Sequence, residues 1–275
     1  MSDALNQVYE AIDRDHAHES AHTRRKVVAG AASAIGALGL MGVPDALAAK
    51  RKGKKHKKSH VGNNTPKNIL TVAATAEVLA TVINTLAPIK VQGFDATTTR
   101  NLQAAAREEL IHFNVLTGTL GAEPVSRTVY IPNSVFASPT SLLNTVIVGD
   151  QVFINAYLIG TTAFGDAGNG KLARVAAEFM GTEAVHRAVA RQSLGLLGND
   201  RAFIKYSQTE TAPGPKQGLR GFTDILQAVA ELEAAGIGFG KPNPNMSADQ
   251  QTAYSIDDIS SMTPNPSDVN VRQFA

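Results

Sequence analysis

Hydrophobic residues recur at helical spacing in four long segments of the chain and in one short segment. The first segment follows Thr65-Pro66, the second follows Asp95, and the third follows Ser138-Pro139, which are residues that favour a helix N-terminus. The pattern therefore predicts helices over about 66–88, 96–119, 139–164, 171–197 and 220–236.

Two further stretches lack this periodicity. The connection 123–137 contains Pro124 and Pro132 and has β-prone residues around Tyr130, so we expect it to be non-helical. The segment 241–275 is rich in Pro, Asn, Ser and Asp, which predicts an irregular C-terminal tail.

Composition supports a helical core and restricts its chemistry. Hydrophobic residues make up 43% of the chain but aromatic residues only 5%, which suits helices that pack through small side chains. The third and fourth helices carry few charges along their middles, so we expect them to be buried. The chain has no Cys, which excludes thiolate zinc sites, iron–sulfur clusters and Cys nucleophiles. A metal ion would have to be bound by His, carboxylates and water.

Beyond His60 the chain has only two histidines, and each follows a glutamate by three residues. The pairs are Glu109–His112 on the second helix and Glu183–His186 on the fourth. Residues at this spacing project from one face of a helix. Each pair can hold one metal ion together, or its members can reach two adjacent ions.

The paired Glu-x-x-His motifs resemble those of the ferritin-like di-metal carboxylate family, whose two other helices each contribute one Glu. In that order Glu77 lies on the first helix, and the third helix has Asp150 where the family has Glu. The resemblance implies iron or manganese, with Glu109 and Glu183 as bridges, in a dinuclear site whose ligands are Glu77, Glu109, His112, Asp150, Glu183 and His186. Because Asp is one methylene shorter than Glu, binding of the second ion stays open.

Two neighbours of these residues have alternative roles. Tyr157 lies seven residues after Asp150 on nearly the same face, where it either hydrogen-bonds a ligand or packs. Glu108 also shares a face with His112, but the adjacent Arg107 favours a surface role.

Over about residues 66–240 the sequence is more narrowly similar to exported bacterial ferritin-like proteins related to plant desiccation proteins. The similar features are the long connection after the second helix, the Ala-Tyr-Leu at 156–158 and the fifth helix. The resemblance implies an all-α fold, a ferritin-like antiparallel four-helix bundle with a fifth short C-terminal helix, over residues 65–240.

The N-terminal region resembles a twin-arginine export signal. It has TRRKVV at 23–28, a soft apolar stretch at 27–43 and an A-x-A pattern at 46–48. We expect a signal peptide over 1–48 and export to the periplasm, cell envelope or exterior; the alternative is an uncleaved anchor. The linker 49–64 contains seven Lys or Arg within 50–58, which serve either as a solvated tether or to attract anionic lipid or envelope polymer.

The family resemblance leaves two classes of function open. One is metal-dependent redox with O2 or peroxide, as a ferroxidase, oxidase or catalase-like enzyme. The other is a non-catalytic role in desiccation, stress or envelope structure, with a vestigial site. Nothing in the sequence indicates a specific nucleic-acid partner. Assembly into a homo-oligomer stays open, whereas the charged N-terminal tail and the C-terminal extension disfavour a ferritin cage.

Overall fold

The computed structural model describes residues 62–199 and 221–265, together with Val269. The predicted signal peptide and the basic segment 50–58 lie outside the described residues, and so do the beginning of the predicted fifth helix and the end of the C-terminal tail.

Four long helices and one short helix form the framework of this part of the chain. Each long helix is preceded by a Thr, Asp, Ser or Asn whose side chain accepts a hydrogen bond from the backbone N–H three residues further on. A π-helical segment, Val115–Thr119, extends the second helix. The helices are α1 (Pro66–Lys90), α2 (Ala96–Asn114), α3 (Pro139–Asp166), α4 (Gly170–Ser193) and α5 (Ile225–Ala234).

The four long helices close into a bundle. α1 packs against α2 and α3, and α4 packs against α3 and α2, while α5 covers α1 and α3 from outside. The connections from α1 to α2 and from α3 to α4 are only a few residues long, so the helices of each pair are antiparallel. The predicted all-α four-helix bundle with a short fifth helix is confirmed.

α1 and α3 are each long and apolar enough to cross a membrane. However, 89% of the apolar window in α1 and 67% of that in α3 are buried inside the folded structure. Core helices of a bundle have this composition, because they are covered by neighbours on most sides.

A small antiparallel sheet lies beside the helices. It consists of β1 (Thr128–Pro132), β2 (Gly238–Phe239) and β3 (Gln251–Ser255), in the order β2-β1-β3. A short helix, α6 (Ile256–Ile259), follows β3 and packs on α1. The structure thus differs from the irregular tail expected beyond residue 240. β3 forms because it pairs along its whole length with β1, a partner far away in sequence that local patterning does not indicate.

Candidate metal centre

The six predicted ligands lie together in the interior of the bundle. Their relative exposure ranges from 0 to 8%, and every long helix contributes at least one of them. α1 provides Glu77, α2 provides Glu109 and His112, α3 provides Asp150, and α4 provides Glu183 and His186.

Three carboxylates surround His112. Its Nδ1 lies 3.5 Å from Glu77 Oε1, 3.4 Å from Glu109 Oε2 and 3.5 Å from Glu183 Oε1. These four residues offer one donor atom each within 4.8 Å of one another, which is a spacing that can hold a metal ion. We refer to them as the four-donor group.

His186 faces the other oxygens of the same glutamates. Its Nδ1 lies 3.0 Å from Glu109 Oε1 and 3.7 Å from Glu183 Oε2. Each of these two glutamates therefore directs one oxygen towards His112 and the other towards His186. The i, i+3 spacing on α2 and α4 produces this symmetry, because it sets each glutamate beside the histidine of its own helix.

Asp150 lies at the edge of this arrangement. It is 3% exposed, and the charges of Glu183, His186 and Glu109 all act on it. Within the described part of the chain, the four-donor group does not include it. The shorter side chain of Asp is consistent with this position.

Several polar atoms of the cluster have no hydrogen-bond partner among the described residues. Such atoms are costly to bury, especially when they are charged. Buried Arg187 offsets part of the charge near Asp150, but a divalent cation would satisfy the group as a whole. The residues therefore fit a metal ion. The atoms without partners are Glu77 Oε2, Glu109 Oε2, His112 Nδ1, Asp150 Oδ2 and both carboxylate oxygens of Glu183.

The pKa values of three of the buried carboxyl groups shift in opposite directions, although burial acts to raise all three. Burial raises the pKa of Glu77, helped by the charge of Glu109, and it raises the pKa of Asp150, helped by the charge of Glu183. Burial also acts to raise the pKa of Glu109. The charge of His186, the hydrogen bond from His186 Nδ1 and the charge of His112 together outweigh it there, so the pKa of Glu109 lies well below its usual range.

The histidines show the complementary shift. Burial alone would lower the pKa of His112, but the charge of Glu77 and the nearby carboxylates of Glu109 and Glu183 raise it well above its usual value. The pKa of His186 rises in the same way, mainly through the charge of Glu109. Protons on these imidazoles balance the buried carboxylates, so a metal ion that binds here must displace them.

Tyr157 donates a hydrogen bond to Glu77 Oε1. Burial and the charge of Glu77 raise the pKa of Tyr157 well above its usual value, so the phenol remains a donor. The sequence left open whether Tyr157 hydrogen-bonds a predicted ligand or packs, and in the structure it makes the hydrogen bond to Glu77. The ring also packs edge-on against Phe179 at 5.5 Å between centroids.

Phe179 was not singled out by the sequence analysis. Its ring stacks on that of His112, with centroids 3.9 Å apart and an interplanar angle of 24°. The available signal was its position four residues before Glu183, which puts both side chains on one face of α4. Phe179 covers His112 and restricts the rotation of its ring.

Glu108 has a larger role than the predicted surface position. Its side chain is 51% exposed, but its Oε2 lies 2.6 Å from His186 Nε2. A carboxylate on one ring nitrogen of a histidine leaves the other nitrogen free to bind a metal ion. No spacing rule within α2 could have identified this contact, because it joins two helices.

The bundle and its carboxylate–histidine cluster define the class of protein. Residues 65–196 match the family model for the ferritin-like domain, a range that covers all four long helices and every predicted ligand. This part of the chain is therefore similar to the ferritin-like domain and has its four-helix bundle fold. A comparison with curated proteins found no match, and neither did a comparison with solved structures.

Proposed function

We propose that the bundle holds a dinuclear iron or manganese centre. The observation that supports it is the arrangement of Glu109 and Glu183, each of which directs one oxygen to each of the two histidines. Two carboxylates placed in this way have the arrangement expected of bridges between adjacent ions.

The remaining ligands divide between the two ions. Glu77 and His112 would hold the first ion, and Asp150 and His186 the second. Carboxylate and imidazole donors suit iron, manganese and zinc, and the ferritin-like fold favours the first two. Because Asp150 is shorter than Glu, it would hold the second ion less completely than a Glu at this position.

We propose metal-dependent redox with O2 or peroxide as the reaction class. A bound iron or manganese pair supplies the one-electron redox chemistry for a ferroxidase, oxidase or catalase-like activity. The chain's own residues orient the ligands: Tyr157 fixes Glu77 through its hydrogen bond, and Glu108 fixes His186. Phe179 excludes water from one face of His112.

Metal analysis of the purified full chain after aerobic expression tests the centre. We expect about two ions per chain, and a clear loss in Glu183→Ala. Glu178→Ala is the matched control, because Glu178 lies on the same helix but is exposed. A wild-type content below about 0.2 ion per chain, equal to that of Glu183→Ala, would contradict the proposal.

A non-catalytic role is the second candidate, in desiccation, stress or envelope structure. The position of Asp150 outside the four-donor group favours it, because a single ion held by that group would stabilise the fold but would lack the second ion of a redox pair. Ferrous-iron oxidation and peroxide turnover by the metal-loaded protein distinguish the two. Bound metal without either turnover would support the second candidate.

We also propose export by the twin-arginine route, supported by the sequence features at 23–48. Replacing Arg24 and Arg25 together by Lys should retain the unprocessed chain in the cytoplasm, and unchanged export would contradict the proposal.

The basic segment 50–58 is proposed to attract anionic lipid or envelope polymer, so deleting these residues should lower that association. Equal membrane retention of the mature protein with and without residues 50–58 would rule out that role.

A further inference from the structure

A second feature of the bundle lies beside the metal centre. A cavity of about 350 Å³ opens between α1, α3 and α5. Its walls are mainly apolar and include Leu79, Ile83, Phe153, Leu232 and Ile237. The volume is well above the ~150 Å³ that suffices for benzene and lies near the lower end of the range for ligand pockets.

Two buried polar side chains interrupt the apolar lining. Asn84 and Asp150 both line the cavity, and each is 3% exposed. The amide nitrogen of Asn84 donates to the Ala80 carbonyl at 3.1 Å, which fixes the amide orientation. Asn84 Oδ1 and Asp150 Oδ2 have no hydrogen-bond partner among the described residues. Asn84 Oδ1 can only accept a hydrogen bond, so a complementary ligand must carry a donor.

The cavity is separate from a second one that leads to His186. That second cavity, of about 190 Å³, lies at the α2–α4 side and is lined by Glu108, Thr98 and Ser193. Asn84 lines both cavities. Both cavities have mainly apolar walls, so their size distinguishes them: only the larger one reaches the range of about 300 Å³ and above that is typical of ligand pockets.

We propose that the larger cavity binds a small hydrocarbon molecule with one hydroxyl group, such as an alkylphenol or a medium-chain alcohol. The hydrocarbon body fills the space between α1, α3 and α5, and the hydroxyl donates to Asn84 Oδ1. A body of up to about twice the size of benzene fits this volume. Asn84 lies outside the four-donor group, so binding does not depend on the proposed metal ions.

Calorimetric titration of the full chain with 4-butylphenol tests the site, with butylbenzene as the probe that lacks the hydroxyl. We expect one molecule of the phenol to bind per chain. Butylbenzene should bind about fivefold to tenfold more weakly, because it leaves the buried Asn84 Oδ1 without a donor.

A cavity-filling variant locates the binding. Gly149 lines the cavity, and a Cβ atom there would meet nothing within 4 Å, so Gly149→Leu should fill the space and weaken phenol binding at least about tenfold. Leu also favours the helix more than Gly does, so the fold should persist. Gly165→Leu is the matched control, because Gly165 lies on the same helix, is exposed and has equally open surroundings.

Asn84→Leu tests the polar contact, because it removes the acceptor with little change in size. We expect it to abolish the preference for 4-butylphenol over butylbenzene. Absence of phenol binding to the wild type, or binding that Gly149→Leu leaves unchanged, would overturn the proposal. A preference that survives Asn84→Leu would overturn the assignment of Asn84 as the hydroxyl contact.

Discussion

The two halves of the candidate metal centre, around His112 and around His186, have the same sequence motif but different surroundings. On one side three carboxylate oxygens lie within 3.5 Å of His112, and the ring of Phe179 covers it. On the other side His186 contacts the half-exposed Glu108 and lines a cavity at the α2–α4 side. Spacing within a helix therefore places the ligands, whereas the neighbouring helices determine how enclosed each ligand is.

Removal of each histidine should give the largest effects and distinguish the halves. His186→Ala leaves the four-donor group intact, so we expect it to retain about one ion per chain. His112→Ala removes the only nitrogen of that group and should retain clearly less. Metal analysis after loading with Fe(II) or Mn(II) measures both, and equal retention by the two variants would contradict the distinction.

Phe179→Ala should weaken metal binding in the half around His112. It should also destabilise the bundle by about 3 kcal/mol, because it removes a large buried ring. Urea unfolding of the metal-free protein measures the loss. Phe164→Ala, also in the core, is the control and should cost a similar amount. Only Phe179→Ala should also lower metal affinity, and an equal affinity of the two variants would remove the proposed role of the ring stacking.

Glu108→Gln should lower metal affinity only in the half around His186. The loss of a carboxylate that orients a histidine ligand lowers metal affinity by about tenfold or somewhat more. We expect this loss for the second ion alone, as measured by competition with a chelator. Glu178→Gln should have no effect, and an equal weakening of both ions by Glu108→Gln would contradict the assignment.

Tyr157→Phe should have the smallest effect on metal affinity, in the half around His112. It removes one hydrogen bond to Glu77 but leaves the carboxylate in place. A net contribution of about 1 kcal/mol corresponds to about a fivefold lower affinity for the first ion. If the same competition assay shows the loss at the second ion instead, the assignment of Glu77 to the His112 half is wrong.

Sequence reasoning was most successful where the relevant interactions are local. The helices could be predicted because their caps and apolar periodicity lie within a few residues of one another, as at Asp95 and Ser138. The Glu-x-x-His pairs could be recognised for the same reason. Glu77 and Asp150 came from resemblance to a family, because neither has a partner nearby in sequence.

The remaining features depend on contacts between distant segments. The approach of Glu108 to His186 and the stacking of Phe179 on His112 both join α2 to α4. The pairing of β1 with β3 joins segments more than 100 residues apart. Local patterns do not determine such contacts, since packing of the whole bundle sets them.

The long-range pairing of β1 with β3 has a consequence during synthesis. At ribosomal rates of about 5–20 residues per second, β3 leaves the ribosome roughly 6 to 25 seconds after β1. For most of that interval both edges of β1 lack a partner, because β2 also follows β1 by more than 100 residues, and an unpaired strand edge is a site of aggregation. A nascent chain that stops before Gln251 would keep the β3 edge of β1 exposed, which gives chaperones and proteases a means to distinguish unfinished chains from finished ones.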